Sequence, residues 1–350
     1  MKRRSFLKVA GGVAGSCALG PASLPVLAGP VGDKQAELPR RVLGRTGEKV
    51  STVAFPGLAM VQQEQDECTA AVHRIFERGV NYFDVAPAYG NGTAEVRLGN
   101  ALQGLDRSRL FLACKTKMRD KDAARQELER SLQRLKTDHF DLYQMHAIFT
   151  PEEVKKAFGP GGAFETFLKA KEEGKVRFFG FSAHTTKGAL EALKAYKFDT
   201  AMFPISFADY FQFGFGKPVL EEAGRQGTVV IGMKALYAGA WPEGAERTRK
   251  WWYRTMETDD EVALAIRFTL SQPGVVAAVP PSFVDLTDKA ITAAQSYQPI
   301  TEAELTKLRE MSVGRGSVFQ EDEKRVNAGQ PLHARSHPDN PHGHCPCMNA

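Results

Sequence analysis

Residues 81–92 read N-Y-F-D-V-A-P-A-Y-G-N-G: a short apolar run closing on Asp84, with the phenol of Tyr89 five residues further on. Two later apolar runs also end on a polar group. L-F-L-A-C-K closes on Lys115, and F-D-L-Y-Q-M-H closes on His146. An acid, a phenol, an amine and an imidazole delivered to one place make a proton-transfer site. That requires the three runs to be neighbouring parallel strands. Taken singly, each residue has a plainer explanation, since strand-end Asp and His commonly cap helices or bond to turns. Their placement on three consecutive runs is what points to catalysis.

The elements that must position them recur along the chain. Strands are expected at Thr52–Gly57, Asn81–Ala86, Leu110–Lys115, Phe140–His146, Val176–Ser182, Thr200–Ser206, Thr228–Lys234 and Val275–Pro281. Each has roughly the six or seven residues of a buried parallel strand. Amphipathic stretches such as Gln65–Arg78, Asp122–Leu135 and Asp259–Leu270 lie between them. Eight strand–helix units over about 250 residues predict a (β/α)8 barrel. A doubly wound sheet is the alternative, but it usually has fewer strands and needs an early G-x-G-x-x-G turn, which does not follow the first strand. Before the barrel, residues 41–51 alternate about Thr46-Gly47 and read as a hairpin covering its N-terminal mouth. Residues 314–350 are rich in Gly, Pro, Asn and His and are expected to form a tail with little core of its own.

Bulk composition narrows the class. At 350 residues and 43% hydrophobic content the chain can bury a large core. Of the formal charge of +5, four units sit in the acid-free first 28 residues, as Lys2, Arg3, Arg4 and Lys8. The body is left near neutral, with no electrostatic footprint for nucleic acid. Residues 1–28 combine a basic start, an apolar Gly/Ala-rich stretch too short to span a bilayer, and the small-residue site Val26-Leu27-Ala28. The Arg-Arg pair followed by Phe-Leu-Lys resembles a twin-arginine export signal, which implies a folded protein delivered to the periplasm by that machinery. A lipoprotein reading through Cys17 is weaker, because Ala14 stands where a larger aliphatic residue is usual. Cys68 and Cys114 fall inside an expected helix and strand, and no disulfide framework is spaced along the chain.

With these residues in view, the sequence resembles an aldo/keto reductase. The shared stretches are L-G-R-T-G-E-K-V-S (43–51), N-Y-F-D-V-A-P-A-Y-G-N-G-T-A-E-V-R-L-G (81–99), A-C-K-T-K (113–117), F-D-L-Y-Q-M-H (140–146) and G-K-V-R-F-F-G-F-S-A-H (174–184). They lie within the expected barrel at 40–313. The resemblance implies that Tyr89 is the general acid, Lys115 and Asp84 the pair that tunes it, and His146 the imidazole that orients a small-molecule carbonyl substrate. It also implies a nicotinamide cofactor, NADP or alternatively NAD, and a monomer is expected. An ammonium beside a phenol favours phenolate and so lowers its pKa.

The cofactor positions depart from the family pattern. Ser182 is kept, but Ala183 replaces the family's Asn, Met202 stands near its Gln, and Met233 replaces its stacking tyrosine. A thioether can still pack on a ring face. Lys234, Ser282 and Lys289 complete the expected cofactor set, with Lys289 as a point charge where an arginine often clamps the 2′-phosphate. Two aromatic clusters, Tyr210/Phe211/Phe213/Phe215 and Trp241/Trp251/Trp252/Tyr253, either pack long loops or form an apolar rim over the site. His333, His337, His342, His344, Cys345 and Cys347 crowd the last 18 residues. Two cysteines cannot supply the four thiolates of a cubane cluster, and no metal site is assigned, although a soft metal at His344, Cys345 and Cys347 stays open. Two other classes remain as alternatives: a non-catalytic nucleotide-binding barrel, and a periplasmic metal-binding protein.

Overall fold

The computed structural model describes residues 36–332, within the second of two units into which the chain divides after Gln35. The leader, Cys17 and the His/Cys cluster from His333 onward lie outside the described residues.

Ten strands are described. β1 (Arg40–Val42) and β2 (Lys49–Ser51) form the expected antiparallel hairpin. The rest make one eight-stranded parallel sheet in sequential order: β3 (Phe55–Pro56), β4 (Tyr82–Asp84), β5 (Phe111–Thr116), β6 (Phe140–Ile148), β7 (Val176–Ala183), β8 (Thr200–Pro204), β9 (Val229–Met233) and β10 (Val275–Val279). The sheet closes on itself: Val53 bridges Ala278 in parallel, Ala54 N–H donates to the Ala278 carbonyl at 3.0 Å, and Ala278 N–H donates to the Thr52 carbonyl at 2.8 Å. This is the (β/α)8 barrel. Each expected strand overlaps one observed strand, with ends shifted by a few residues.

Period-two alternation divides the core into two layers. Tyr82, Phe111, Ala113, Leu142, Met202, Ile231, Met233 and Val276 fill the barrel interior. Phe83, Leu112, Cys114, Tyr143 and Phe181 face outward into the layer under the helices. The hairpin plugs the N-terminal end by inserting Leu43 and Val50 into the interior cluster. The Asn81 amide holds it there, accepting from Ser51 N–H at 2.7 Å and donating to the Lys49 carbonyl at 2.9 Å. Arg41 and Arg45 donate to carbonyls at the barrel's lower rim, those of Val275 and Phe198, each at 2.7 Å.

The structure departs from the expected tail. Residues 315–327 pack on the barrel: Val318, Phe319 and Val326 are buried, and Gln320–Asn327 is helical. Arg315 donates to the Ala238 carbonyl at 2.7 Å, and Val318 N–H donates to the Tyr237 hydroxyl at 3.1 Å. The Gly-rich composition hid this segment, because its apolar anchors are two adjacent residues followed by one lone valine, with no helical or strand period.

Phe319 contacts the rings of Phe215, Tyr237 and His184. Phe319→Ala should therefore cost about 3–5 kcal/mol in urea unfolding. Phe213→Ala, at a residue 45% exposed, should stay within about 0.5 kcal/mol.

Candidate active site

The three polar strand ends meet at the C-terminal mouth. In the parallel register Asp84 lies opposite Ala113, and Lys115 lies opposite Gln144. Asp84, Lys115 and His146 each fall two residues beyond an inward-facing position, so the pleat turns them into the barrel. Tyr89 arrives on the loop after β4. The turn Tyr89–Gly92 runs through three consecutive left-handed residues, Gly90 (φ 59°), Asn91 (φ 52°) and Gly92 (φ 91°), which the G-N-G sequence accommodates.

Lys115 is the centre of the site. Its ammonium is fully buried, pairs with Asp84 Oδ1, and donates to Tyr89 Oη at 3.1 Å and to the Val85 carbonyl at 3.3 Å. Gln144 Nε2 donates to the other Asp84 oxygen at 3.3 Å. The Tyr89 and His146 rings meet edge to face, with centroids 5.6 Å apart. Burial acts against the Lys115 ammonium, but Asp84 and Tyr89 outweigh it and hold the amine well above the ordinary lysine range. For Tyr89 the balance differs from the simple sequence expectation. Burial pushes the phenol upward more than Lys115 pulls it down, so its pKa lies above the usual tyrosine value. The ammonium's influence has the expected sign, but it is the smaller one. At neutral pH the phenol is protonated, the form a proton donor needs.

His146 sits on a β-bulge. The register of β6 against β7 shifts between Met145 and Ile148, and Ala147 takes a left-handed φ of 55°. Such a conformation is uncommon for a residue with a Cβ and persists only when its surroundings fix it. Two groups do so here. Ser182 Oγ accepts from Ala147 N–H at 2.8 Å, and Arg119 donates to the His146 carbonyl at 2.8 Å. The bulge re-aims the imidazole toward the phenol. Ser182, kept from the family's carboxamide pair, thus also positions His146.

A cavity above these groups is lined by Asp84, Tyr89, Lys115, His146, Ser182, His184, Met202, Met233, Lys234, Trp251, Trp252, Tyr253 and Ser282. All the expected site residues except Lys289 therefore come together. Lys289 is elsewhere, donating to the Glu257 carbonyl at 2.7 Å and pairing with Asp259 at 3.1 Å. The two aromatic clusters separate. Trp251, Trp252 and Tyr253 combine the two roles considered, lining the cavity while Trp251 and Tyr253 are buried in the loop packing, and Trp241 donates to the Trp251 carbonyl at 2.9 Å. Tyr210 and Phe211 instead pack on Phe268 of the helix Asp259–Ser271, away from the cavity.

Sequence reasoning missed Gln144, Arg119, His184 and Phe319. Gln144 was detectable, because it lies two residues before His146 and so on the same face. Arg119 lies in a loop, and Phe319, which backs His184 and Lys234, comes from the segment whose composition predicts a tail. Among the described residues no cluster of three or more His, Cys, Asp or Glu side chains could hold a metal, and no helix is long and apolar enough to cross a membrane.

Relatives share this arrangement of elements. An aldo-keto reductase of Bacillus halodurans in its holo form superposes with a TM-score of 0.66 at 21% identity, over 82% of this chain and 100% of that one. One from Klebsiella pneumoniae in complex with NADPH gives 0.61 at 20%, over 79% and 95%. In sequence, an uncharacterized oxidoreductase of Bacillus subtilis is 28% identical over 182 residues, 49% of this chain and 57% of its own length. L-Galactose dehydrogenase of Arabidopsis thaliana is 32% identical over 156 residues, 41% of this chain and 47% of its own length. The chain thus spans about half the length of these curated relatives. Residues 53–251, more than half of the chain, match the Aldo/keto reductase family, and the chain belongs to that family.

Proposed function

We propose that the protein is an exported oxidoreductase that reduces an aldehyde or ketone to an alcohol, or runs the reverse, with Tyr89 as the proton donor and a nicotinamide nucleotide as the redox partner. The observation that carries this reading is the fully buried ammonium of Lys115, shared between Asp84 and the phenol of Tyr89.

The residues present fit such a nucleotide. Met202 and Met233 give the cavity an apolar, polarisable wall suited to a flat ring. Ser282 lies at the start of the helix Val284–Gln295, whose N-cap Phe283 offers no side-chain acceptor, so its first amides are open to a phosphate. The Klebsiella neighbour, described in complex with NADPH, agrees in cofactor class. With Lys289 engaged by Glu257 and Asp259, that residue gives no ground to prefer NADP over NAD.

When bound, the nicotinamide supplies the hydride, which no side chain here can provide. The chain's own groups do the rest. His146 and Tyr89 flank the place where a carbonyl oxygen docks, and both stabilise the negative charge that grows there as carbon is reduced. Tyr89 then gives its proton to that oxygen, closing the balance of one hydride and one proton added across C=O. Lys115, kept charged by Asp84, stabilises the phenolate left behind. Gln144 fixes the second carboxylate oxygen, so the pair cannot rotate away from the phenol. Trp251, Trp252 and Tyr253 screen the mouth from water and favour bulky or aromatic carbonyl compounds. Export is proposed on the leader's Arg3-Arg4 motif.

Turnover assays of NADPH and NADH oxidation with a panel of aldehydes test the reading. Tyr89→Phe should lower kcat by about 10²- to 10⁴-fold while leaving nucleotide affinity within about twofold. Tight nucleotide binding by the unaltered protein without any turnover would sink the enzyme reading in favour of a non-catalytic barrel. Asp84→Ala leaves the Lys115 ammonium buried without its carboxylate, and should cost about 3–5 kcal/mol in chemical unfolding. For export, changing Arg3 and Arg4 together to lysine should move the protein from the periplasmic to the cytoplasmic fraction. An unchanged distribution would discard the twin-arginine assignment.

A further inference from the structure

Lys234 follows Met233 directly at the end of β9, at a left-handed φ of 58°. Like Ala147 beside the catalytic imidazole, it is a residue with a Cβ held in an unfavoured conformation, and such residues gather at functional sites. Its side chain lines the same cavity as Tyr89, Lys115 and His146 and is part-exposed to it. The ammonium lies over two aromatic faces, 5.2 Å from the Trp252 ring centroid and 5.8 Å from that of Phe319. Among the described residues it has no hydrogen-bond or ion-pair partner. The neighbouring cations differ: Lys115 has Asp84, and Arg119 has Glu153.

Aromatic faces hold a cation without neutralising it. An ammonium only partly exposed to water and without a counterion destabilises the fold that contains it. The strain at its backbone adds to that cost. The cost of the charge is offset if a ligand brings the missing negative charge. Burial, and then repulsion by Lys115, draws the Lys234 amine down to about 7, in keeping with a charge that lacks its partner.

We propose that Lys234 is the seat for an anionic oxygen group of a ligand in this pocket, either a carboxylate on the carbonyl substrate or the diphosphate of the nucleotide. The pocket then contains two amines with separate tasks: Lys115 serves the phenol from below, and Lys234 receives the ligand's charge from the wall. The inference rests on the reductase reading above and deepens it by giving one of the two bound molecules an obligatory anion.

The test uses the full chain with Lys234→Met and Lys234→Arg. Nucleotide affinity is read from tryptophan fluorescence with NADPH and NADH. Substrate preference is read as the ratio of kcat/KM for 4-carboxybenzaldehyde to that for benzaldehyde, at saturating nucleotide. If the seat takes the diphosphate, Lys234→Met weakens nucleotide binding by about tenfold or more, a typical cost for leaving one charge of a pair unmatched. The acid-to-neutral ratio then stays unchanged. If it takes the substrate carboxylate, that ratio falls by about tenfold or more and nucleotide affinity holds. In both cases Lys234→Arg recovers most of the loss.

Two further readouts separate this role from a structural one. Without ligand, Lys234→Met should melt at a higher temperature than the parent, the reverse of what loss of a structural contact gives. At pH 7.5 to 8 the parent should take up a proton on binding the anion, because only the ammonium pairs with it. Affinity should then fall as pH rises through about 7. Calorimetry in two buffers of different ionisation heat reads that proton, and Lys234→Met should abolish it. Asp84, Tyr89, Lys115, His146, His184 and Tyr253 also face this cavity and are the same in both proteins, so the difference isolates Lys234. Unchanged nucleotide affinity together with an unchanged acid-to-neutral ratio in an active Lys234→Met protein overturns the proposal. An unaltered protein that neither binds nucleotide nor turns over refutes the reductase reading, and this inference with it.

Discussion

The site depends on one costly arrangement: an ammonium and a carboxylate buried together at the end of a parallel barrel. Removing Lys115 and Asp84 from water is unfavourable, and a buried ion pair seldom repays that cost as stability alone. The Tyr89 hydroxyl at 3.1 Å from the ammonium gives the pair another role. Its position is set by strand register. With Lys115 opposite Gln144, a slip of one residue in β5 would turn the amine out under the helices, where Cys114 now packs. The apolar alternation of β4, β5 and β6 therefore fixes the geometry of the proposed proton-transfer site as firmly as its four polar side chains do.

Much of this was legible in the sequence because a polar residue at the end of an apolar run is conspicuous. Asp84, Lys115 and His146 stand out for that reason, and the run lengths give the barrel. Local features that depend on two distant segments were not legible. The bulge at His146–Ala147 needs the Ser182 hydroxyl from the next strand and a guanidinium from the loop after β5, and neither leaves a pattern in F-D-L-Y-Q-M-H-A-I. The phenol's net shift also depends on how deeply the folded barrel encloses it, which the neighbouring lysine alone does not reveal. Lys289 shows the converse. Its position after the eighth strand suggested a phosphate contact, while Glu257 and Asp259, from the preceding loop and helix start, claim it in space.

The two ends of the barrel follow different rules. The lower end is closed by apolar insertion and hydrogen bonds to backbone, through Leu43, Val50, Asn81, Arg41 and Arg45. These contacts are all made within the chain. At the upper end, Ala147 and Lys234 lie in left-handed conformations and a lysine faces aromatic rings. Three of the four left-handed non-glycine residues described, Asn91, Ala147 and Lys234, and the lysine over aromatic rings thus lie on the side of the candidate site, with Lys136 the exception below.

Phe319 stands behind both His184 and Lys234, yet it is separated by 173 residues from His146 and by 230 from Tyr89 along the chain. During synthesis Asp84, Tyr89, Lys115 and His146 leave the ribosome long before the ring that backs the cavity. The ring behind the pocket is added only once translation has passed residue 319, 37 residues after Ser282, the last residue along the chain that lines the cavity. A chain that ends just before residue 319 therefore carries every cavity-lining residue but lacks the ring behind His184 and Lys234.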